Sequence, residues 1–183
     1  MFIMEEKILP ERKNFSHSNK LLVLIICLGL FAGFIIKLFV FEVLTVSGDS
    51  MSPCLKSGDR LFVNKLAFGL VQPYGEKLLI QWKKPQRGQI IIYLYDNKIV
   101  VKRCLALAGD LLEYSCDNEY NHILRVGDKE IPLTESQYLR LKDSKSVPKG
   151  YILAIGDNYP VSVDSRTYGF VSEDSILGKV LCK

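Results

Sequence analysis

The chain has 183 residues, of which 48% are hydrophobic, and a formal net charge of +4. This length allows one globular domain with appendages. The positive charge forms no basic stripe with interleaved aromatic residues, so the composition gives no support for nucleic-acid binding. The cysteines and histidines lack the spacing of metal ligands, so we expect no metal and no cofactor.

The first predicted element is a transmembrane anchor at residues 21–41. Residues 21–36 carry no charge and would form about 24 Å of helix; extension to Phe41 gives about 31 Å, close to the ~30 Å hydrocarbon core of a bilayer. Lys37 lies near one end, where its side chain can reach the lipid headgroups. A buried helix of a soluble protein and a cleaved signal peptide are the alternatives, although the apolar run exceeds the ~7–15 residues usual in a signal peptide.

The charges that flank the anchor predict its orientation. Four basic residues precede it: Lys7, Arg12, Lys13 and Lys20. After Lys37, the next basic residue is Lys56. The positive-inside rule therefore predicts a cytoplasmic tail at residues 1–20 and an extracytoplasmic domain at residues 42–183.

The residues after the anchor predict a mainly β domain with an antiparallel sheet. Short apolar runs rich in β-branched and aromatic residues alternate with turn signals, at Leu61–Val63, Gln89–Tyr95, Lys98–Leu105, Tyr151–Ile155 and Ile176–Leu181. The dipeptide Gly-Asp occurs five times, and each occurrence favours a turn. Residues 111–150 are more polar, so we expect a smaller subdomain or a long hairpin excursion there.

The two histidines provide no obvious general base. His17 belongs to the predicted tail, and His122 lies in the polar segment without a recognisable catalytic neighbour. A Ser-His-Asp triad would have to recruit His122. If a serine is the nucleophile, a lysine is the better candidate for its base.

Ser50 is the candidate nucleophile. It lies in a turn directly after the anchor, where Gly48 permits tight backbone geometry and Pro53 restricts the chain. Such a turn can direct a hydroxyl outward while backbone N–H groups converge on an oxyanion. An ordinary β-turn has the same composition and is the simpler alternative.

Lys102 is the candidate base. At its ordinary pKa of ~10.4 a lysine is protonated, and burial among apolar atoms lowers that pKa. Strand alternation places Lys102 on the same face as Val100 and Cys104, which is the environment that a lysine base needs. A strand lysine that extends its ammonium to water is the alternative.

A third segment, residues 156–169, is dense in small polar residues and follows the predicted strand at Tyr151–Ile155. Asp164 and Arg166 could form an ion pair, and Ser162 could hydrogen-bond a neutral amine. An ordinary loop with many Asx residues is the alternative.

Together these segments resemble the type I signal peptidase (leader peptidase) family. The resemblance extends from Phe39 to about Val171 and is poor at residues 111–150. It is carried by four pieces in the family's order: Ser47–Pro53, Gly58–Arg60 with Asn64 and Lys65, Val101–Arg103 with Gly109 and Asp110, and Gly156–Asn158 with Ser162, Asp164, Arg166 and Gly169.

The resemblance implies a role for each matching residue. Ser50 would attack the scissile carbonyl and Lys102 would accept its proton, as a Ser-Lys dyad. Ser162 would orient the lysine amine, with Asp157 and the Asp164–Arg166 pair as supporting residues. The backbone N–H of Ser50 would bind the oxyanion, because Gly48 stands where some members have a serine.

The resemblance also implies a substrate. The family cleaves signal peptides after Ala-x-Ala-like sites, and five residues would line the pockets for the small side chains: Val46, Met51, Leu55, Val100 and Val101. Cys54 replaces a threonine common in the family. In an exported domain, Cys104 and Cys116 could form a disulfide that closes a short loop, although sequence does not fix cysteine pairing.

The predicted function is therefore that of a membrane-bound serine endopeptidase that processes exported preproteins at a bacterial-type plasma membrane, as a monomer. Its partners would be signal peptides and the lipid bilayer. A processing peptidase of the same fold with dedicated substrates, such as conjugation or pilus proteins, is one alternative. A membrane-tethered homologue without activity is the other.

Overall fold

The structure, a computed structural model, describes residues 17–72, 78–116 and 122–182. Most of the predicted tail, including Lys7, Arg12 and Lys13, lies outside the described residues. Helix α1 spans His17–Phe39, and its Asn19–Phe39 part is long and apolar enough to cross a membrane, with a mean hydropathy of 2.8. The helix ends two residues earlier than predicted, because Phe41 begins the first strand.

In the part of the chain that the structure describes, twelve strands and two further α-helices follow α1. Their bounds are β1 Phe41–Thr45, β2 Arg60–Asn64, β3 Gly69–Val71, β4 Leu78–Gln81, β5 Ile90–Tyr95, β6 Lys98–Ala106, β7 Glu113–Cys116, β8 His122–Val126, β9 Lys129–Leu133, α2 Glu135–Leu141, β10 Tyr151–Ile155, α3 Ser165–Tyr168, β11 Val171–Ser172 and β12 Ile176–Cys182. All pairs between the described strands are antiparallel.

The main sheet has seven strands in the order β1-β2-β12-β5-β6-β10-β11. The five strands predicted from apolar runs all belong to it, as β2, β5, β6, β10 and β12. The prediction of a mainly antiparallel β fold behind an apolar N-terminal helix is confirmed. Asp96 and Asn97 both have positive φ, which matches the twist of a two-residue hairpin turn between β5 and β6.

The centre of this sheet is buried on both faces. Along β5, Ile91 and Tyr93 contribute to one core cluster, whereas Ile92 contributes to a cluster on the opposite face. Such two-sided burial explains why β5 is a nearly continuous apolar run rather than an alternating one. On the neighbouring strand β6, Cys104 belongs to the cluster of Ile91 and Tyr93.

A second, three-stranded sheet lies between β6 and β10 in the chain. It has the order β7-β8-β9, is followed by α2, and falls within the segment predicted as a subdomain or a hairpin excursion. Its core cluster combines Leu124 and Ile131 of this sheet with Leu105 of β6 and Leu153 of β10. The second sheet therefore packs against main-sheet strands and is part of the same body.

Candidate active site

The Ser50 turn follows β1 and is fastened to the loop after β10. The Ser50 carbonyl accepts a hydrogen bond from the Asn158 N–H at 3.0 Å, and Asn158 Nδ2 donates to the Asp49 carbonyl at 3.1 Å. Gly48 has a φ of 87°, in the left-handed region that favours glycine. These contacts fix the backbone on both sides of the Ser50 side chain.

Lys102 lies in β6 and reaches Ser50 from the neighbouring part of the main sheet. Its Nζ is 2.7 Å from Ser50 Oγ, and only 4% of the residue is exposed. Val100 and Cys104, the neighbours on its strand face, both pack with the cluster around Ile91. The structure thus brings together the two residues that the sequence predicted as a pair.

The surroundings of Lys102 favour its neutral form. Burial lowers the pKa of the amine, the charge of Arg166 lowers it further, and Asp164 opposes both effects. No carboxylate lies within salt-bridge distance of Lys102 among the described residues. A neutral amine at this distance can accept the proton of the Ser50 hydroxyl.

Asp164 and Arg166 form the buried ion pair that their spacing predicted. Arg166 Nε donates to Asp164 Oδ1 and Nη2 donates to Oδ2, both at 2.9 Å. Asp164 Oδ2 also accepts the Gly156 N–H at 3.0 Å. Because a buried charge is costly unless it is paired and hydrogen-bonded, these contacts hold the loop between Gly156 and Arg166 in one conformation.

Arg166 also binds three backbone carbonyls. Nη2 donates to the carbonyls of Tyr159 at 2.9 Å and Ser162 at 3.3 Å, and Nη1 donates to the Pro132 carbonyl at 3.3 Å. The guanidinium lies 5.4 Å from the centre of the Tyr159 ring, within cation–π range. The residue connects the loop beside Ser50 to strand β9 of the second sheet.

Ser162 lies next to Gly156 and makes no side-chain hydrogen bond to Lys102. Its Oγ is buried and has no hydrogen-bond partner among the described residues. A methyl group on Gly156 would lie 2.2 Å from this oxygen and 2.4 Å from the Ser50 carbonyl oxygen. Glycine at 156 therefore permits Ser162 and the Ser50 turn to approach each other closely.

Asp157 is directed away from Ser50 and binds Arg103. Arg103 Nε donates to Oδ1 at 2.7 Å and Nη2 donates to Oδ2 at 2.6 Å, while Nη1 donates to the Gly88 carbonyl. These contacts, together with a hydrogen bond involving Cys54, raise the pKa of Arg103. Asp157 thus ties the start of the loop to β6, one residue beyond Lys102.

A cleft of about 840 Å³ opens in front of Ser50 and Lys102. Four of the five predicted pocket residues line it: Val46, Met51, Val100 and Val101. The fifth predicted residue, Leu55, is not among the residues that line the cleft and packs with Leu61 and Val63 in the core. The sequence analysis missed Tyr95, Ile99, Val161, Val163 and Tyr168, which also line the cleft.

One edge of β6 is open beside the cleft. Strand β5 pairs with β6 from Lys98 to Arg103, whereas β10 pairs with it only from Arg103 to Ala106. Within residues 17–72, 78–116 and 122–182, no strand pairs with the other edge of β6 between Lys98 and Lys102. Such an edge can accept an extended peptide as an additional strand.

The cysteines do not pair as the sequence analysis considered. Cys104 and Cys116 are both free thiols. Cys104 is buried in the main sheet, and burial raises the pKa of its thiol to about 12. Cys116 is exposed at the end of β7 in the second sheet. The disulfide between them is therefore not formed: one thiol is buried in the main sheet and the other is exposed on the three-stranded sheet.

The Ser50 turn also presents a backbone donor. No acceptor for the Ser50 N–H is found among the described residues. Gly48 offers no side-chain donor. A nucleophilic hydroxyl, a buried amine, a backbone N–H and an open strand edge together form the arrangement of a serine peptidase with a lysine as its base.

Comparison with known proteins agrees with this class. The model of the family described as signal peptidase, peptidase S26, matches residues 18–183. The chain therefore belongs to this family, and the resemblance stated from its motifs is confirmed.

Individual relatives of this chain are signal peptidases. Signal peptidase IB of Staphylococcus aureus strain Mu50 is 31% identical over 80% of this chain and 79% of its own length. Signal peptidase I of Buchnera aphidicola is 28% identical over 81% of this chain and 69% of its own length. A crystal structure of a signal peptidase I from Enterococcus faecalis V583 has 31% identity and a TM-score of 0.38, covering 54% of this chain and 97% of that one.

Proposed function

We propose that this protein is a membrane-bound serine endopeptidase that removes signal peptides from exported preproteins, with Ser50 as nucleophile and Lys102 as general base. The observation that carries the proposal is the 2.7 Å contact between Ser50 Oγ and a lysine amine that is almost excluded from solvent. Buried amines with a lowered pKa can act as bases near neutral pH, whereas exposed lysines cannot.

In the proposed reaction, Lys102 accepts the Ser50 proton while Oγ attacks the scissile carbonyl. The developing oxyanion is bound by the Ser50 N–H. Lys102 then gives its proton to the leaving amine, which leaves an acyl group on Ser50. Water attacks this ester in the second step, with Lys102 again acting as the base.

The substrate would lie along the open edge of β6 as an extended strand. In that position its side chains alternate between the two sides of the strand, and alternate residues reach the cleft wall. Val46, Met51, Val100 and Val101 make this wall apolar. Shallow apolar pockets favour small side chains, in keeping with Ala-x-Ala-like cleavage sites.

Ser162 is proposed to orient the Lys102 amine during the reaction. Its buried hydroxyl has no other hydrogen-bond partner among the described residues, so it is available for this contact. Asp157 would act on the reaction through the position of this loop, and the Asp164–Arg166 pair through that position and through its charges, which act on the pKa of Lys102. They are positioning residues because none of them contacts Ser50 Oγ or Lys102 Nζ.

Helix α1 anchors the protein in the membrane, and we propose that the tail before it is cytoplasmic and the β domain extracytoplasmic. The basic residues before the helix support this orientation. A signal peptide is itself inserted in the membrane, so an enzyme held at the same surface meets its substrate at a raised effective concentration. The enzyme is proposed to act as a monomer at a bacterial-type plasma membrane.

The proposal is tested with the full chain in detergent or vesicles and a purified preprotein. The wild-type protein should release the mature chain, identified by its N-terminal residue and molecular mass. Ser50→Ala should release none. A Ser50→Ala variant with full activity would overturn the nucleophile, and a wild-type protein that leaves several preproteins intact would overturn the substrate class.

A further inference from the structure

A second cluster of reactive side chains lies in the three-stranded sheet. Cys116 ends β7 and His122 begins β8, and these two residues are direct cross-strand partners. Cys116 Sγ is 3.0 Å from His122 Nδ1, and His122 Nε2 is 2.5 Å from Oε2 of Glu135, the first residue of α2. A thiol, an imidazole and a carboxylate are thus aligned in hydrogen-bond contact.

Neighbouring groups hold the imidazole in place. The Tyr138 ring stacks on His122 with centroids 4.0 Å apart and an angle of 4° between the planes. Glu135 and Tyr138 are three residues apart on α2 and so lie on the same helix face. The helix start is fixed by a capping box between Thr134 and Gln137. One turn of α2 therefore contacts His122 twice: Glu135 bonds the ring nitrogen Nε2 and Tyr138 stacks on the ring face.

Tyr114 of β7 packs against the same turn of α2. Tyr114 packs its ring edge-on against Tyr138, and its hydroxyl donates to the Leu141 carbonyl at 2.8 Å and the Ser144 carbonyl at 3.1 Å. These contacts connect strand β7 to the end of α2. The orientation of the imidazole is therefore set by several packed groups.

The hydrogen bonds define a direction for the proton. A carboxylate accepts hydrogen bonds, so Glu135 selects the tautomer in which His122 Nε2 carries the proton. Nδ1 is then an acceptor for the thiol proton of Cys116.

The other cysteines whose side chains the structure describes lack this arrangement. Cys27 lies in the apolar helix α1. Cys104 is buried, and its thiol has a 3.9 Å contact with the Ala106 carbonyl. Cys54 is exposed and contacts Arg103, whose guanidinium is bound by both oxygens of Asp157 and is not a proton acceptor. Cys116 is both exposed and in contact with a base.

We propose that Cys116, His122 and Glu135 form a thiol-exchange site, separate from Ser50, that reacts with low-molecular-weight disulfides. The Cys116 thiol gives its proton to His122, and the thiolate attacks one sulfur of the disulfide. A bond forms between Cys116 Sγ and that sulfur while the original S–S bond breaks. The departing thiolate takes the proton from His122 and leaves as a thiol, so the exchange balances without a further oxidant.

The test measures how fast each cysteine of the full detergent-solubilised chain reacts with dithiodipyridine at neutral pH, with the sites identified by peptide mass spectrometry. Only a few per cent of an ordinary thiol is ionised at neutral pH, so activation by His122 should make Cys116 about tenfold faster in the wild-type protein than in His122→Phe. His122→Phe keeps an aromatic ring against Tyr138 but removes the base. The Cys54 rate, measured in the same samples, should be the same in both proteins.

Glu135→Gln is the second variant, and it removes only an exposed carboxylate. It should slow Cys116 less than His122→Phe does. An unchanged Cys116 rate in Glu135→Gln and in folded His122→Phe would overturn the proposal. Peptidase activity at Ser50 should be the same in both variants as in the wild-type protein, so a failure of this proposal is distinguishable from a failure of the proposed function.

Discussion

The Lys102 amine and the Arg166 guanidinium are both nearly excluded from solvent, with 4% and 1% of the two residues exposed. Arg166 has Asp164 as a partner in direct contact, whereas Lys102 has a serine hydroxyl. One buried cation is therefore paired with a carboxylate, whereas burial of the other lowers its pKa. This difference separates a structural ion pair from a candidate base.

The first prediction concerns the pH dependence of peptide cleavage. Burial, assisted by Arg166, lowers the pKa of Lys102 below its ordinary value of 10.5. The value of kcat/KM should therefore rise with pH through this lowered pKa, because only the neutral amine accepts a proton. A profile whose acidic limb lies at or above the ordinary lysine pKa would contradict Lys102 as the base.

The same shift has a consequence for stability. The folded protein binds fewer protons than the unfolded chain at pH values between the lowered pKa and 10.5. The free energy of unfolding should rise with pH across this window. Below the lowered pKa, where Lys102 is charged in both states, the cost of burying its charge is fully present. Comparison with Lys102→Met, which lacks the titrating group, isolates this contribution.

Lys102→Met should separate activity from stability. The substitution removes the base and should lower kcat/KM by at least about a thousandfold. It also removes a buried amine and keeps the apolar stem, so the free energy of unfolding should increase by about 1 kcal/mol. Lys102→Arg is the matched control, because it keeps the charge and should be both inactive and less stable. Chemical denaturation and peptide cleavage measure the two effects.

Ser162→Ala should also lower activity without loss of stability. The Ser162 hydroxyl is buried without a partner, so its removal should leave the free energy of unfolding unchanged or higher by about 1 kcal/mol. If the hydroxyl orients Lys102, kcat should fall by about tenfold or more while KM changes little.

Ser165→Ala is the matched control for Ser162. Ser165 is also buried, but its Oγ accepts the Ala154 N–H at 3.0 Å. This variant should lose about 1–2 kcal/mol of stability because a buried donor loses its partner. An equal loss in Ser162→Ala, with kcat unchanged, would show that Ser162 has a structural role only.

Gly156→Ala should displace the loop from the nucleophile. Its added methyl group would lie 2.2 Å from Ser162 Oγ and 2.4 Å from the Ser50 carbonyl oxygen, and both distances are shorter than van der Waals contact. A displacement of about 1 Å at the reacting atoms can cost about a hundredfold in kcat. Gly178→Ala is the control, because its methyl group would lie 2.8 Å from the Asn64 carbonyl in the main sheet. Gly178→Ala should lower the melting temperature, but its loss of kcat should be smaller than that of Gly156→Ala.

Apolar runs in the sequence were sufficient to predict the strands of the main sheet that are buried on both faces. Within the predicted subdomain or hairpin excursion, the individual strands β7 to β9 were not predicted. Buried residues are interrupted by exposed ones in β8 and β9, and β7 has no buried residue, so these short runs resemble polar loops. The end of the anchor was placed too late for a related reason. Phe41 continues the apolar run of α1, although its backbone already pairs with Asn64 of β2.

The sequence also predicted the residues at the centre of the site better than those around it. Ser50 and Lys102 belong to motifs that resemble those of the signal peptidase family, and this resemblance allowed their pairing to be stated in advance. Leu55 has the same apolar character as Met51, and only packing decides which of them faces the cleft. The contact of Cys116 with His122 and Glu135 requires three chain segments to meet, which local patterns do not specify.

The guanidinium of Arg166 donates to the carbonyl of Pro132, and the core cluster around Leu124 includes side chains from β6 and β10. The two sheets therefore share both a polar contact and an apolar interior. Local opening of β7 to β9 would expose the back of the strand that carries Lys102 and would release one of the carbonyls bound by Arg166. Backbone amides in the three-stranded sheet and in the loop beside Ser50 should consequently exchange their hydrogens in a single cooperative event.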